Sequence, residues 1–341
     1  MVYLLYRRAK PSRENPVFQP GVTVIIPTVA GGEIMERKLE NTLSVNYPSD
    51  RLEIIVVDSS NKPFFAPKEV KVVRQERMGK PAALNRGIEA SKNDIIVMTD
   101  DDAVLDSEAL TRLVSNFSDP NVGGAVGDLT LGGKGTLNKM NSSFYRVFRN
   151  SLRKWESALD SVSFTSGELF AFRKSIVPVP QIDRKVLSDD LYLLFEIRKR
   201  GYRVVASDAE VFEEDVPSLR GQINHKRRTM IGTLQVFRKN LKMLLNKGYG
   251  LFGTLFAPMY LLRITLCPII LLGLEVFLVA LIVQFPYLVL LVLVPFIIMT
   301  LLKKDLALAL LYGVLTQAPA LLGIMDFVTG NYRIGWKKKG K

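Results

Sequence analysis

The sequence predicts an α/β fold: a mostly parallel sheet with helices on both faces, then an interfacial amphipathic helix and C-terminal transmembrane helices. Three observations carry this. Runs of β-branched residues alternate with helical patterns from Val22 to Ser207, as in strand–helix–strand units with a buried parallel sheet. Several of those runs close on a polar residue, Thr28, Asp58 or Asp100, at the edge where open α/β sheets bind ligands. From Leu251 to Leu302 only Arg263 and Glu275 are charged, and roughly 20 apolar residues cross a bilayer core.

Five units follow from this pattern: a basic segment at 1–20, the α/β domain at 21–218, an amphipathic region at 219–250, an apolar region at 251–330 and a basic tail at 331–341. The opening MVYLLYRR is too short for a signal peptide or a span. VTVIIPTV (22–29) reads as a buried strand, and 33–46 has a helical pattern. LEIIVVD (52–58), VKVVRQE (70–76) and DIIVMTD (94–100) are further strands, with a helix at 80–91 between the last two. Residues 107–117 and 137–158 look helical, and FTSGELFAFR (164–173) reads as a strand beside a loop. DDLYLLFEIRKR (189–200) is a helix stopped by Gly201, and YRVVAS (202–207) is a strand. Met230, Leu234, Phe237, Leu241 and Leu245 recur at three- and four-residue spacing with Arg238, Lys239 and Lys242 between them, the pattern of a helix lying in the bilayer interface. Spans are expected at 264–283, 285–302 and 306–325. If domain and tail share the cytoplasmic side, the number of spans is even. One segment is then re-entrant or interfacial, or 251–283 crosses differently.

The net charge of +13 suggests nucleic acid until its distribution is read. Residues 1–218 hold 30 Lys/Arg and 30 Asp/Glu, and residues 219–247 hold eight bases and no acid. The charge sits beside the apolar segments, where it meets anionic headgroups, so nucleic acid is not an expected partner. One cysteine, Cys267, and one histidine, His225, leave any metal to oxygen ligands.

Five features could carry chemistry, each with a plainer alternative. TDDDA (99–103) ends a strand. Three adjacent carboxylates repel one another, so they suit a cation or a strand-to-helix loop with a capping Asp. Asp58 also ends a strand, where it could accept bonds from a nucleobase or ribose, or serve a turn. Lys80 is a phosphate partner or a surface helix-start lysine. Asp189 and Asp190 open a helix, where acids suit the dipole, or one of them is a general base. HKRRT (225–229) is membrane-surface charge or a phosphate clamp, since Arg contacts phosphate bidentately.

Taken in order, these segments resemble membrane-bound glycosyltransferase family 2, similar to cellulose, hyaluronan and poly-N-acetylglucosamine synthases, with the GT-A fold. The resemblance runs from Val22 to Thr229, with the general layout continuing to the C-terminus. It implies an inverting transfer from a nucleotide sugar, a UDP-sugar being the expected donor, to a saccharide or lipid-linked acceptor at the cytoplasmic side of the plasma membrane. It places Pro27 (in VTVIIPT), Asp58, Lys80 (in GKPAALNRGI), Asp100, Asp101 and Arg228 at the nucleotide sugar. Asp102 would hold Mg²⁺ or Mn²⁺. Gly167, Glu168 and Asp189 lie on the acceptor side, and Asp190 is the general base. The family's Gln-x-x-Arg-Trp motif appears as HKRRT, with His225 for Gln and Thr229 for Trp. The missing Trp puts processivity in question, and polymer export through three spans would call for a homo-oligomer or partner subunit. A lipid-phosphate sugar transferase, resembling dolichyl-phosphate mannose or glucose synthases, is the alternative activity. An inactive membrane scaffold on the same fold is the alternative class.

Overall fold

The computed structural model describes residues 18–132, 144–177, 182–214 and 219–332. The expected basic segment (to residue 17), the start of the 137–158 helix (to 143) and the tail from 333 lie outside the described residues.

Eight strands form one sheet: β1 (Val22–Thr28), β2 (Leu52–Asp58), β3 (Val70–Arg74), β4 (Ile95–Thr99), β5 (Ala103–Leu105), β6 (Val122–Gly132), β7 (Leu169–Arg173) and β8 (Arg203–Glu214). Their order is β3-β2-β1-β4-β7-β6-β8-β5. The first half, β3-β2-β1-β4, is parallel throughout. The second is mixed, because β7 runs antiparallel to both β4 and β6 and β5 antiparallel to β8. A mostly parallel sheet thus holds for the β3-β2-β1-β4 half and becomes mixed beyond β4.

Helices α1 (Gly32–Leu43), α2 (Lys80–Ala90), α3 (Ala109–Ser115), α4 (Phe144–Leu159) and α5 (Asp189–Lys199) accompany the sheet. Alternation along β1 serves both faces. Val22, Val24 and Ile26 join Met35 and Leu39 of α1 and Leu110 and Leu113 of α3. Ile25 joins Leu84 and Ile88 of α2 and Phe195 of α5. The β1–β2 register sets Thr28 beside Asp58, so the polar strand ends converge.

α6 (Leu219–Lys239) ends earlier than the 219–250 pattern suggests, with Leu241 and Leu245 outside it and exposed. Residues 231–237 are all buried, so this half of α6 is a core helix rather than one with an open apolar face. Phe237 meets Phe195 edge-on at 5.2 Å. α7 (Ala257–Gln284), α8 (Val289–Leu302) and α9 (Lys304–Thr329) follow. Among the described residues, one helical stretch is long and apolar enough to cross a membrane, Phe252–Gln284, 33 residues. α8 belongs to a shorter apolar segment, Pro286–Leu302. The second expected span, 285–302, therefore appears as a helix shorter than that, and the third, 306–325, falls within α9.

Candidate active site

The site forms along the C-terminal edge of β1, β2 and β4. Thr28, buried at the end of β1, donates from its hydroxyl to Asp101 Oδ2 at 2.6 Å and accepts from the backbone N–H groups of Ala30 and Gly31. Pro27, one residue earlier, is buried in β1. Asp58, 5% exposed, accepts from Ser60 N at 2.8 Å, so the turn reading of this residue holds alongside its place at the strand edge. Gly31 has φ +58, and a Cβ there would stand 2.4 Å from Lys62 O and Ser60 Oγ; only glycine lets these two loops meet so closely.

Lys80 organises the centre. Gly79 (φ +96) turns the chain into α2, which points Lys80 at the strand ends. Its Nζ lies 2.6 Å from Asp100 Oδ1 and 3.7 Å from Asp189 Oδ2. Burial works against its charge, but Asp100, Asp189 and Asp190 outweigh this and raise its pKa. Asp190, 8% exposed, accepts from Ser188 Oγ at 2.9 Å. Gly167 closes the arrangement: a Cβ there would lie 3.7 Å from both Lys80 Nζ and Asp190 Cγ. Burial raises the Asp189 pKa, with Asp190 adding to it and Lys80 opposing it. Burial, joined by the nearby Asp100, pushes the Glu168 carboxyl up to about 7, and its Oε2 is shielded without a hydrogen-bond partner. Thus Lys80, Asp100, Gly167, Asp189 and Asp190, read from separate segments, meet within a few ångströms.

Arg228 and His225 stand near the start of α6, both accessible to solvent. His225 lies close enough to feel the charges of Asp100 and Lys80, and its pKa is lowered by the protein mass around it and by Arg228 and Lys226. The start of α6 therefore lies within electrostatic reach of Asp100 and Lys80.

Two buried residues that brace the site escaped the sequence reading. Lys38 is 3% exposed on the buried face of α1 and donates to Thr99 Oγ1 at 3.0 Å and to Ala103 O. These acceptors flank the Asp100–Asp102 turn, so Lys38 braces it. Burial lowers its pKa to about 7, while Asp100, Asp102 and Asp101 oppose the shift. The available signal was its place between Met35 and Leu39 on the apolar stripe. Arg153 of α4, 2% exposed, donates to Ser166 Oγ at 3.2 Å and lies 3.4 Å from Asp128 Oδ1, supporting the loop that presents Gly167. Burial lowers its pKa to about 10. Nothing in its local sequence marks it.

Among the described residues no three His, Cys, Asp or Glu side chains converge as a ready metal cage. Mg²⁺ in phosphate chemistry is held by one or two carboxylates plus substrate phosphates, and an acidic turn braced by Lys38 fits that donor set.

A family model described as "Glycosyltransferase like family 2" matches residues 20–232. The chain belongs to this family. Poly-beta-1,6-N-acetyl-D-glucosamine synthase of Staphylococcus aureus (strain COL) is 27% identical over 196 residues, covering 54% of this chain and 47% of that protein. "Probable glycosyltransferase YdaM" of Bacillus subtilis (strain 168) is 27% identical over 237 residues, 63% of this chain and 56% of that protein. The chain thus spans about half the length of these curated relatives. Among solved structures, a mannosyltransferase, PcManGT from Pyrobaculum calidifontis in complex with GDP-Man and Mn²⁺, aligns with TM-score 0.74 and 25% identity over 97% of this chain and 95% of its own. The GT-A fold and glycosyltransferase class implied by the sequence therefore hold, and this chain is a family 2 glycosyltransferase.

Proposed function

We propose that this glycosyltransferase is metal-dependent and inverting, and that it adds a single sugar from a nucleoside diphosphate sugar to a lipid-linked or saccharide acceptor at a membrane surface. The observation that carries the reading is the Lys80–Asp100–Asp189–Asp190 cluster at the strand edge, with Ser188 orienting Asp190. The nucleotide lies along Pro27 and Asp58, and its phosphates face Lys80, the Asp100–Asp102 turn and Arg228. Asp102 would hold a divalent ion, which would supply charge neutralisation for the leaving diphosphate. Asp190 takes the proton of the acceptor hydroxyl as that oxygen attacks the anomeric carbon on the face opposite the diphosphate. Ser188 keeps one Asp190 oxygen engaged, which directs the other towards the acceptor. Lys80 and Arg228 meet the charge that develops on the departing phosphate. Glu168 and Asp189 line the acceptor side, where a carboxyl held near neutrality can donate to a sugar hydroxyl.

Single addition is favoured over polymer synthesis because Thr229 stands where processive relatives carry Trp. The mannosyltransferase in complex with GDP-Man and Mn²⁺ aligns with nearly the whole chain. For this reason GDP-mannose is the first donor to test, ahead of the UDP-sugars expected from the synthase resemblance. Multi-pass anchoring with the catalytic domain on the cytoplasmic side belongs to the same proposal and rests on the apolar α7 and the basic 219–247 segment.

The test is nucleoside diphosphate release by detergent-purified protein offered GDP-mannose, UDP-glucose, UDP-N-acetylglucosamine or UDP-galactose with Mg²⁺ or Mn²⁺. Release from one donor, abolished by chelator and lowered ~10²-fold or more in Asp190→Asn, is expected. An Asp190→Asn enzyme that keeps a tenth of the rate would remove the base assignment. Products from a lipid-phosphate acceptor rather than a hydroxyl would select the lipid-phosphate sugar transferase.

A further inference from the structure

α6 is gripped from two sides. His225, Arg228, Gly232 and Gln235 follow one another at three- and four-residue spacing and share one face; Arg227, Met230 and Arg238 share another. On the first face, Gly232 lies against the segment that leads into the base. A Cβ there would stand 3.0 Å from Ser188 N and 3.1 Å from Leu187 C. Leu187 N also donates to Gln235 Oε1 at 3.1 Å, and Ser188 donates to Asp190. On the second face, Gly323 of α9 lies so close that a Cβ would stand 2.7 Å from Met230 Cβ and 3.0 Å from Arg227 O. Arg227 donates through Nε and Nη2 to both carboxylate oxygens of Asp326, which is 2% exposed. Arg238 lies over the Phe327 ring, 5.1 Å from its centre.

From this geometry we propose that Asp326, near the end of the last apolar helix, is a positioning residue for sugar transfer. By holding Arg227 it sets the rotation and height of α6. That in turn places Arg228 over the donor phosphates and steadies the Leu187–Ser188 segment that orients Asp190. A bidentate pair between two packed helices resists both sliding and rotation, which a single contact does not. The packing of α9 is thereby coupled to the catalytic edge, whose Asp190 lies 136 residues before Asp326 in the chain (326 − 190). The inference rests on the roles given above to Asp190 and Arg228.

Two variants test it in the full chain: Asp326→Asn, which keeps shape and removes charge, and Gly323→Ala, which pushes on Arg227 O and Met230 without touching a charge. With the donor that supports turnover, each is expected to lower the rate about 10-fold or more, since misplacement by an ångström is that costly. In an Arg228→Lys background the further loss from Asp326→Asn shrinks, because both changes disable one placement. Amide hydrogen exchange at Leu187–Asp190 rises in both variants while β1 and β2 keep their protection. Unchanged turnover and unchanged exchange at Leu187–Asp190 would overturn the inference. So would a fully additive loss accompanied by lost protection across the whole sheet, which marks a merely structural pair. If the unaltered protein turns over no donor, the proposed function falls. The exchange measurement then decides the link by itself: a rise confined to Leu187–Asp190 supports it and its absence refutes it.

Discussion

At the scale of single residues, the site is a problem in charge. Asp100, Asp189, Asp190 and Glu168 gather where repulsion would scatter them, and Lys80 and Lys38 make the gathering stable. Part of this was legible. Asp100 follows a strand and Asp189 and Asp190 open a helix, positions that sequence patterns mark, whereas Glu168 sits in the turn before β7. That Lys80 bridges the Asp100 and Asp189 segments was not legible, because it depends on three elements meeting. A buried acid away from the reacting groups gives a cleaner pH test. Glu156, 3% exposed, accepts from Ser163 N and Oγ. Burial pushes its pKa from 4.5 to about 7, the Ser163 bonds and the charges of Arg263 and Arg153 opposing. The folded state therefore holds this proton more tightly than the unfolded one. The stability from it is complete below about 4.5 and is lost as pH rises through about 7. Glu156→Gln removes this dependence, so the thermal midpoint of the unaltered protein should fall relative to the variant between about pH 5 and pH 7. Parallel midpoints across that window would refute the assignment.

At the scale of elements, close approach decides where sequence patterns fail. β6 escaped the sequence reading because Gly123, Gly124 and Gly127 interrupt its apolar pattern. They are small for a reason: a Cβ at Gly123 would stand 2.7 Å from both Ile197 Cγ2 and Tyr202 Cβ, so α5 packs directly on the strand backbone. Gly87 does the same for α2, where a Cβ would stand 2.5 Å from Ile25 Cγ2. Gly87→Ala should lower stability by ~1–3 kcal/mol through overpacking. It should also weaken nucleotide binding, because α2 carries Lys80 at its start. An unchanged unfolding midpoint would show that Ile25 yields without cost. α6 is the opposite case. Its 3–4 spacing reads as an interfacial stripe, but Ile231–Phe237 is enclosed by protein. Periodicity reports that a face is buried and is silent on whether lipid or protein buries it.

At the scale of the whole molecule, the α/β domain is joined to the apolar helices by a buried ionic clamp. Arg198 of α5 lies 3.1 Å from Asp160 and donates to Tyr202 O and Tyr249 O at 3.0 Å each. Its guanidinium also stands over the Phe252 ring at 5.2 Å. Asp160 in turn accepts from Phe252 N at 2.9 Å, where the long apolar helical stretch begins. Arg198→Met leaves the Asp160 charge and two carbonyls without this donor. It should cost ~3–5 kcal/mol, as broken buried pairs do, seen as a lower thermal midpoint in detergent. A loss below about 1 kcal/mol would mean that water replaces the guanidinium and the joint is not closed. A polar link also ties the apolar helices together, Gln317 donating to Glu275 at 2.7 Å.

Read without the structure, the sequence already specifies the parallel half of the sheet, the family, the acidic strand ends and the apolar C-terminal region. These follow from short-range periodicity and from residue types that a strand end or helix start selects locally. Tertiary structure alone decided the mixed half of the sheet, the buried bracing by Lys38 and Arg153, and the seam that sets Arg227 on Asp326. Each of these depends on groups far apart in the chain, whose juxtaposition is set by how helices and strands pack. Local spacing carries no information about that packing.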